Sequence, residues 1–366
     1  MYWTNRADFS TSAGSGLLIL WQTFRGNGWT SQPRRGLCSF CFQQISFFVA
    51  RSHLIANHGF EMQIERQIEV SGIIVTYNPD FEGLKLLLDA IVPQLGSVVI
   101  VDNGSKADIA AWLLQQDIRV ELLALGDNLG IAKAQNVGIE QARARGSGFV
   151  LLLDQDSLPA PDMVATLLAA AKAQISNGVK LGCVGPRYED TRQNNPPPFI
   201  RTNGFRLERQ ACTTPDAVVD VDYLIASGCL IPIQTLDDVG GMKEELFIDY
   251  VDIEWGLRAQ HKGYRSFGVC AALMKHDLGD EPILFRGRQI PVHSPLRHYY
   301  HFRNAAWLYR QSWPRFNWKV VDCSRLLRKY IFYSLMTAPR LQHWKMMTIG
   351  ILHGLAGKMG RKAGDV

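Results

Sequence analysis

The sequence predicts an α/β fold with a mostly parallel central sheet and a helical carboxyl-terminal extension. Two observations carry this. Short, unbroken apolar runs recur between amphipathic helical patterns, as expected of strands buried on both faces of a helix-covered sheet. Polar and acidic residues then gather where those runs end, and in open parallel sheets ligands sit at the carboxyl ends of the strands.

The elements follow in order. Ile73, Ile74 and Val75 form a first strand, closed by Tyr77-Asn78-Pro79-Asp80. Phe81, Leu84, Leu87, Leu88, Ile91 and Leu95 then share one helix face, and Gly96 stops that helix. Residues 98–101 form a second strand, closed by Asp102-Asn103-Gly104-Ser105. A helix over residues 131–145 ends at Gly146, and a strand over 149–153 ends in Asp154-Gln155-Asp156. A helix over 161–174 and a strand at 183–186 come next. Residues 187–220, rich in Asn, Pro, Arg and Thr, read as a long surface excursion, since Pro196-Pro197-Pro198 cannot sit in a helix or a central strand. The chain returns to the core at 223–231, a helix runs from near Val251 to about Lys262, and 267–274 resembles a strand.

Three domains are expected: a poorly ordered extension over 1–61, a catalytic domain over 62–296, and a helical, basic and aromatic extension over 297–366. Residues 1–61 show no sustained period of two or 3.6, and the native product is expected to start near Met62. Hydrophobic residues make up 47% of the 366, enough for a sizeable core, and the 20% charged is too low for a disordered chain. A net charge of +5 does not mark a nucleic-acid binder. Seven scattered cysteines suggest reduced thiols in the cytoplasm. The lone Cys38-Cys41 pair supplies two ligands where a structural zinc needs four. No apolar window reaches the roughly 18 residues of a membrane span.

Two carboxylate groups carry the chemistry. Asp154 and Asp156, two residues apart at a strand end, suit one hard cation such as Mg²⁺ or Mn²⁺, which takes few protein carboxylates and fills its remaining positions with phosphates and water. Asp249, Asp252 and Glu254 crowd the start of the helix near Val251. Asp249 there is either a helix cap or, with its neighbours, part of a general-base site for a hydroxyl. His276 follows a strand-like run and is within reach of the sheet's carboxyl edge. The dinucleotide fingerprint GxGxxG after the first strand and the P-loop GxxxxGK[ST] are both absent.

These pieces resemble glycosyltransferase family 2, with its GT-A fold, and in particular bacterial rhamnosyltransferases that use dTDP-L-rhamnose. The likeness covers roughly residues 70–310. It rests on Ile74-Val75-Thr76-Tyr77-Asn78-Pro79, Val101-Asp102-Asn103-Gly104-Ser105, Asn128-Leu129-Gly130-Ile131-Ala132, Leu153-Asp154-Gln155-Asp156-Ser157, Ser227-Gly228, Gly240-Gly241, the 247–254 segment, Tyr299-Tyr300 and Arg303-Asn304. The resemblance implies that Thr76, Tyr77, Asn78, Asp102, Asn103, Asn128, Lys133 and Asp154 bind the nucleotide. It offers Asp154, Asp156 and His276 as metal ligands and Asp252 as the base, with Asp249 sharing or replacing that role. Many relatives carry Glu-Asp where this chain has Val251-Asp252.

The resemblance implies an inverting transfer of L-rhamnose to a hydroxyl of a cell-surface polysaccharide such as O-antigen, or of a lipid-linked glycan. Rival readings are another donor (a UDP-hexose or UDP-galactofuranose) and an inactive glycan-binding protein of the same fold. Aromatic and basic residues after Tyr299, with Arg325 to Met336 lying in the interface, further suggest peripheral contact with the inner face of the cytoplasmic membrane.

Overall fold

The computed structural model describes residues 69–189, 199–276, 283–285, 288–290 and 293–364. The expectations for residues 1–61, for the Cys38-Cys41 pair and for Pro196-Pro197-Pro198 lie outside them.

The apolar runs become the centre of one sheet. β1 (Val70–Thr76) pairs in parallel with β2 (Ser97–Asp102) and with β4 (Phe149–Asp154), and β2 pairs in parallel with β3 (Glu121–Ala124). Beyond β4 comes β10 (Cys229–Pro232), antiparallel to both β4 and β6 (Leu181–Glu189). β11 (Arg265–His276) runs parallel to β6, while β5 (Ser157–Pro159) and β9 (Val218–Val221) pair with it antiparallel. The sheet order is β3-β2-β1-β4-β10-β6-β11-β5, with β9 beside β11. The direction common to β1 through β4 is shared by β6 and β11, so the sheet is mostly parallel, as expected.

Helices cover both faces. α1 (Phe81–Ile91) buries Leu84, Leu87, Leu88 and Ile91 in a cluster with Ile74, Ile100 and Leu153. Its start is fixed by Asp80, whose carboxylate accepts from the Gly83 N–H at 2.9 Å. α4 (Met163–Ser176) packs on the same face through Met163, Val164 and Leu167. On the other face, α3 (Ile131–Ala144), α5 (Ile233–Val239) and α6 (Val251–His261) bury Ala132, Ile139, Leu236, Val239 and Trp255 against Ile73, Val99 and Leu152. Full burial of such side chains contributes roughly 1.5–3 kcal/mol each.

Three features depart from the sequence reading. A short helix, α2 (Ile109–Leu113), and the edge strand β3 precede α3, in a stretch too short to show a period. The 187–220 excursion contains a hairpin of β7 (Phe199–Asn203) and β8 (Arg206–Gln210), followed by β9. Cys212 and Cys270 form a disulfide with a Cα–Cα distance of 5.7 Å, where reduced thiols were expected. They are 58 residues apart, and the folding of the excursion over β11 brings them together, which spacing alone does not reveal.

β12 (Ile283–Phe285) and β13 (Arg288–Ile290) pair as a small hairpin. The chain then forms α7 (Pro295–Arg310), α8 (Phe316–Met336) and α9 (Arg340–Ala356). The expected boundary at 296/297 falls inside α7. Phe302, Leu308, Trp318, Leu326 and Met347 from these helices share one apolar cluster with Tyr250 and Leu257.

Candidate active site

The parallel strand ends bring the sequence motifs together. Thr76 lies in register with Asp102, and Val75 with Asp154. Thr76, fully buried, donates its hydroxyl to Asp102 Oδ1 at 3.1 Å. Asp102 also accepts from the Ser105 hydroxyl and, at 3.1 Å, from the Ser105 N–H. Asn103 donates to Asn128 Oδ1 at 3.0 Å and accepts from the Leu129 N–H at 2.9 Å. Asn128 Oδ1 in turn accepts from the Gly130 N–H at 3.0 Å. Gly130 sits at φ +89, and a Cβ there would lie 2.7 Å from the Phe247 carbonyl oxygen. The start of α3 is therefore locked both to β2 and to the segment that precedes α6.

Tyr77 and Asn78 line the rim. The Tyr77 N–H donates to Gln155 Oε1 at 2.8 Å, so the middle residue of the Asp-Gln-Asp triplet ties β4 to β1. Asn78 accepts from the Lys106 N–H at 2.9 Å. Lys133, half-exposed, pairs with Glu244 at 3.2 Å, which places it among side chains of the outer rim.

The Asp154 N–H donates to Ser227 Oγ at 3.1 Å, and Ser227 Oγ lies 2.6 Å from Ser157 Oγ. The Ser227-Gly228 motif thus braces the turn that carries both carboxylates. His276 is the last residue of β11 and lies in backbone register with Ser157, next to Asp156. Among the described residues no three His, Cys, Asp or Glu side chains form a metal-holding group. Two carboxylates at a strand end still fit Mg²⁺ or Mn²⁺, whose other positions go to phosphate and water.

α6 faces this edge with the second acidic group. Asp252 borders a small apolar cavity lined by Leu152, Leu224, Cys229 and Trp255. Burial there pushes its carboxyl up to about 6, and the charges of Asp154 and Asp249 push in the same direction. Its Oδ1 accepts from the Ile253 N–H at 2.8 Å. Asp249 lies 3.4 Å from Arg297, and its buried Oδ2 has no hydrogen-bond partner. Glu254 points elsewhere. It is buried and held by Arg258 through bonds of 2.8 and 2.9 Å. Arg258 also donates to the Val239 and Gly241 carbonyls, at 2.6 and 2.7 Å, which ties the Gly240-Gly241 motif to α6.

The segment before α6 is strained. Phe247, Asp249 and Tyr250 all have φ between +62 and +67, a region that side chains other than glycine rarely adopt. α7 holds it there. Asn304, fully buried, donates to the carbonyls of Leu246, Ile248 and Asp249 at 2.9, 2.8 and 2.8 Å. Arg303 donates to Leu246 O at 2.8 Å and lies 4.8 Å from the Tyr300 ring centroid. Tyr300 in turn stacks on Phe247 at 5.0 Å.

The sequence pattern assigns no role to Arg303-Asn304 or to Tyr223. Tyr223, whose hydroxyl lies in the electrostatic field of Asp322 and Asp252, packs over α6 at Gly256. Gly256 admits that contact, because a Cβ there would meet Tyr223 Cβ at 2.6 Å. Tyr223 belongs to no recognisable pattern. The paired Arg303-Asn304, buried on a helix with no acidic residue nearby in sequence, was the available signal.

One edge of this mostly parallel, GT-A-like sheet thus gathers a Thr/Asp/Asn cluster, a pair of carboxylates and a facing, partly buried Asp252. Comparison with known proteins places the chain among the glycosyltransferases. The family described as glycosyl transferase family 2 matches residues 71–226. The chain is 34% identical over 300 residues to a protein named dTDP-rhamnosyl transferase RfbF from Shigella flexneri, covering 80% of this chain and 97% of that one. It is 28% identical to galactofuranosyltransferase GlfT1 of Mycolicibacterium smegmatis over 68% of this chain and 88% of that one. An N-acetylglucosaminyl-diphospho-decaprenol L-rhamnosyltransferase of Mycobacterium tuberculosis is 27% identical over 56% of this chain and 74% of its own.

In fold, the chain is similar to GalNAc-T7 crystallised with UDP, GalNAc and Mn²⁺ (TM-score 0.53, 13% identity, 80% of this chain and 57% of that one). It is similar also to S. aureus TarS (TM-score 0.51, 15% identity, 78% and 49%). The chain spans about half the length of those two structures. It belongs to glycosyl transferase family 2 and is a glycosyltransferase.

Proposed function

We propose that the protein transfers L-rhamnose from dTDP-L-rhamnose to a hydroxyl of a polysaccharide or lipid-linked glycan acceptor, with inversion, in the cytoplasm. The observation that carries the chemistry is the partly buried Asp252, its carboxyl raised to about 6, in the electrostatic field of Asp154 at the strand edge. The choice of donor is supported by the 34% identity to the Shigella flexneri protein across 80% of the chain.

In this reading Thr76, Tyr77, Asn78, Asp102, Asn103 and Asn128 hold the nucleoside, and Asp154 and Asp156 hold Mg²⁺ or Mn²⁺, with His276 as a further ligand. A divalent ion bound there supplies positive charge that offsets the charge of the leaving diphosphate. Asp252 accepts the proton of the acceptor hydroxyl as its oxygen bonds to the anomeric carbon. The bond from that carbon to the diphosphate oxygen breaks on the opposite side, through an oxocarbenium-like state. One displacement needs one base, and dTDP leaves. Asp249, whose Oδ1 lies by Arg297, shares or replaces the role of Asp252, and Glu254 acts through Arg258 on the position of α6.

A donor screen tests the proposal. Turnover of dTDP-L-rhamnose with little turnover of UDP-sugars is expected. Turnover of UDP-galactofuranose alone would favour the second reading, which the 28% identity to GlfT1 supports.

A further inference from the structure

Most of the carboxyl-terminal aromatics pack inward, while Phe316 and Trp344 stay exposed. Trp318 and Tyr333 are buried, and Trp307, Trp313, Tyr330 and Phe332 pack against the same cluster. A different set is exposed. Phe316, Val320, Leu327, Ile331 and Leu335 on α8 lie between 41% and 73% exposed. Their spacing of four, seven, four and four puts them on one stripe, opposite the face that buries Trp318, Asp322, Leu326 and Tyr333. α8 thus carries an exposed apolar stripe opposite its buried one.

Two neighbours extend the patch. Phe205, at the tip of the β7–β8 hairpin, packs edge-on against Phe316 at 6.5 Å. α9 carries Leu341, Trp344, Leu352 and Leu355 exposed, and the Tyr330 hydroxyl meets that of Thr348 at 2.8 Å, tying the two helices side by side.

Charge selects the occupant. Residues 316–364 contain nine Lys or Arg and a single acid, Asp322. That acid is buried and takes hydrogen bonds from Tyr250 and Tyr309, both at 2.7 Å. Arg328, Arg340 and Lys345 stand exposed beside the stripe. A second copy would bring like charges together with no facing acid. An anionic lipid surface offers both the apolar phase for the stripe and the counter-charge for its rim.

We propose that the outer face of α8, continued by α9 and Phe205, docks the protein on an anionic phospholipid bilayer. This deepens the reading of a lipid-linked acceptor and rests on it for its purpose. Vesicle binding, however, is measured without donor or acceptor, so either idea can fail alone.

The test is flotation of the intact protein with vesicles of phosphatidylcholine, alone or mixed with phosphatidylglycerol, at low and high salt. Binding to the mixed vesicles that weakens with salt is expected, because exposed charges are screened. The double variant Leu327→Glu, Ile331→Glu should bind them at least about tenfold more weakly, since two apolar side chains that would enter the lipid phase are replaced by charges. Its melting curve and nucleotide binding should match the parent, because both positions are exposed. Arg328→Glu with Lys345→Glu should lose the preference for anionic lipid. The proposal is overturned if the parent does not float at low salt or if the aliphatic variant floats equally well. It is also overturned if light scattering shows a dimer in solution that the aliphatic variant abolishes.

Discussion

Asp252 combines two properties that pull in opposite directions. Burial beside Leu152, Cys229 and Trp255 raises its carboxyl to about 6, which makes it a better base than an exposed aspartate. The same burial makes the charged form unwelcome in the fold. Because the folded value lies above the unfolded one, its contribution to stability is present below about pH 4 and is lost as pH rises through about 6. Asp252→Asn is therefore expected to raise the melting temperature at pH 7.5 and to leave it nearly unchanged at pH 4. In the same variant kcat should fall about 10²–10⁴-fold with nucleotide binding intact. In the parent, kcat/KM should rise with pH around a midpoint near 6. Near-native turnover of Asp252→Asn together with a dead Asp249→Asn would move the base to Asp249. Chelation by EDTA should abolish transfer, and Mn²⁺ or Mg²⁺ should restore it. Asp154→Asn should weaken Mn²⁺ binding measured with the nucleotide present, and full activity in metal-free protein would sink the assignment. Thr76, Asp102, Asp154 and Asp156 were legible because each closes an apolar run, and parallel pairing carries such ends to one edge. Asp249, Asp252 and Glu254 were legible only as a trio. Which of them borders the cavity, which is strained and which is buried against Arg258 depends on how α6 packs.

The element that fixes the segment before α6 is α7. Three non-glycine residues with positive φ within four positions do not hold themselves, and Asn304 and Arg303 supply the carbonyl bonds that keep them in place. Asn304→Ala removes the side-chain donor from the Ile248 and Asp249 carbonyls and one of several donors from that of Leu246, and leaving a buried hydrogen-bonding group unpaired typically costs about 1–3 kcal/mol. A lower melting temperature is expected, with a fall in kcat that exceeds any change in nucleotide affinity, because the nucleotide cradle lies on β1 and β2. Asn304→Asp, which cannot donate in the ionised form, should behave similarly, whereas a purely packing role would spare Asp more than Ala. Equal loss of nucleotide binding and turnover would show that the clamp acts on the whole fold. The strands and long helices of the sheet were readable from periodicity, since residues such as Ile74, Leu84 and Leu151 reach zero exposure in regular patterns. The clamp was not, because it joins carbonyls, which carry no sequence identity, to a helix some fifty residues later. β7, β8 and β9 escaped for a related reason. Their pairing partners are an exposed hairpin and β11, so their burial does not alternate cleanly.

At the scale of the molecule, α6 and the residue before it share one apolar cluster with the helices α7–α9. Tyr250 and Leu257 belong to the cluster that also holds Phe302, Trp318 and Met347, and Tyr250 donates to Asp322 of α8. Cutting the chain at 296 would expose those apolar faces and remove Asn304 from the strained segment. A catalytic unit ending there is expected to be insoluble or inactive, whatever the donor. The amino-terminal side is different. The described elements begin at Val70, and the core clusters are closed by residues from 70 onward. We propose that a chain starting at Met62 folds by itself. It should be soluble, melt cooperatively and transfer sugar at a rate close to that of the full chain, while a chain of 62–296 should not. Cooperative melting of 62–296 with retained turnover would show that the helices are a dispensable extension. Loss of folding in 62–366 would show instead that residues 1–61 are integral to it.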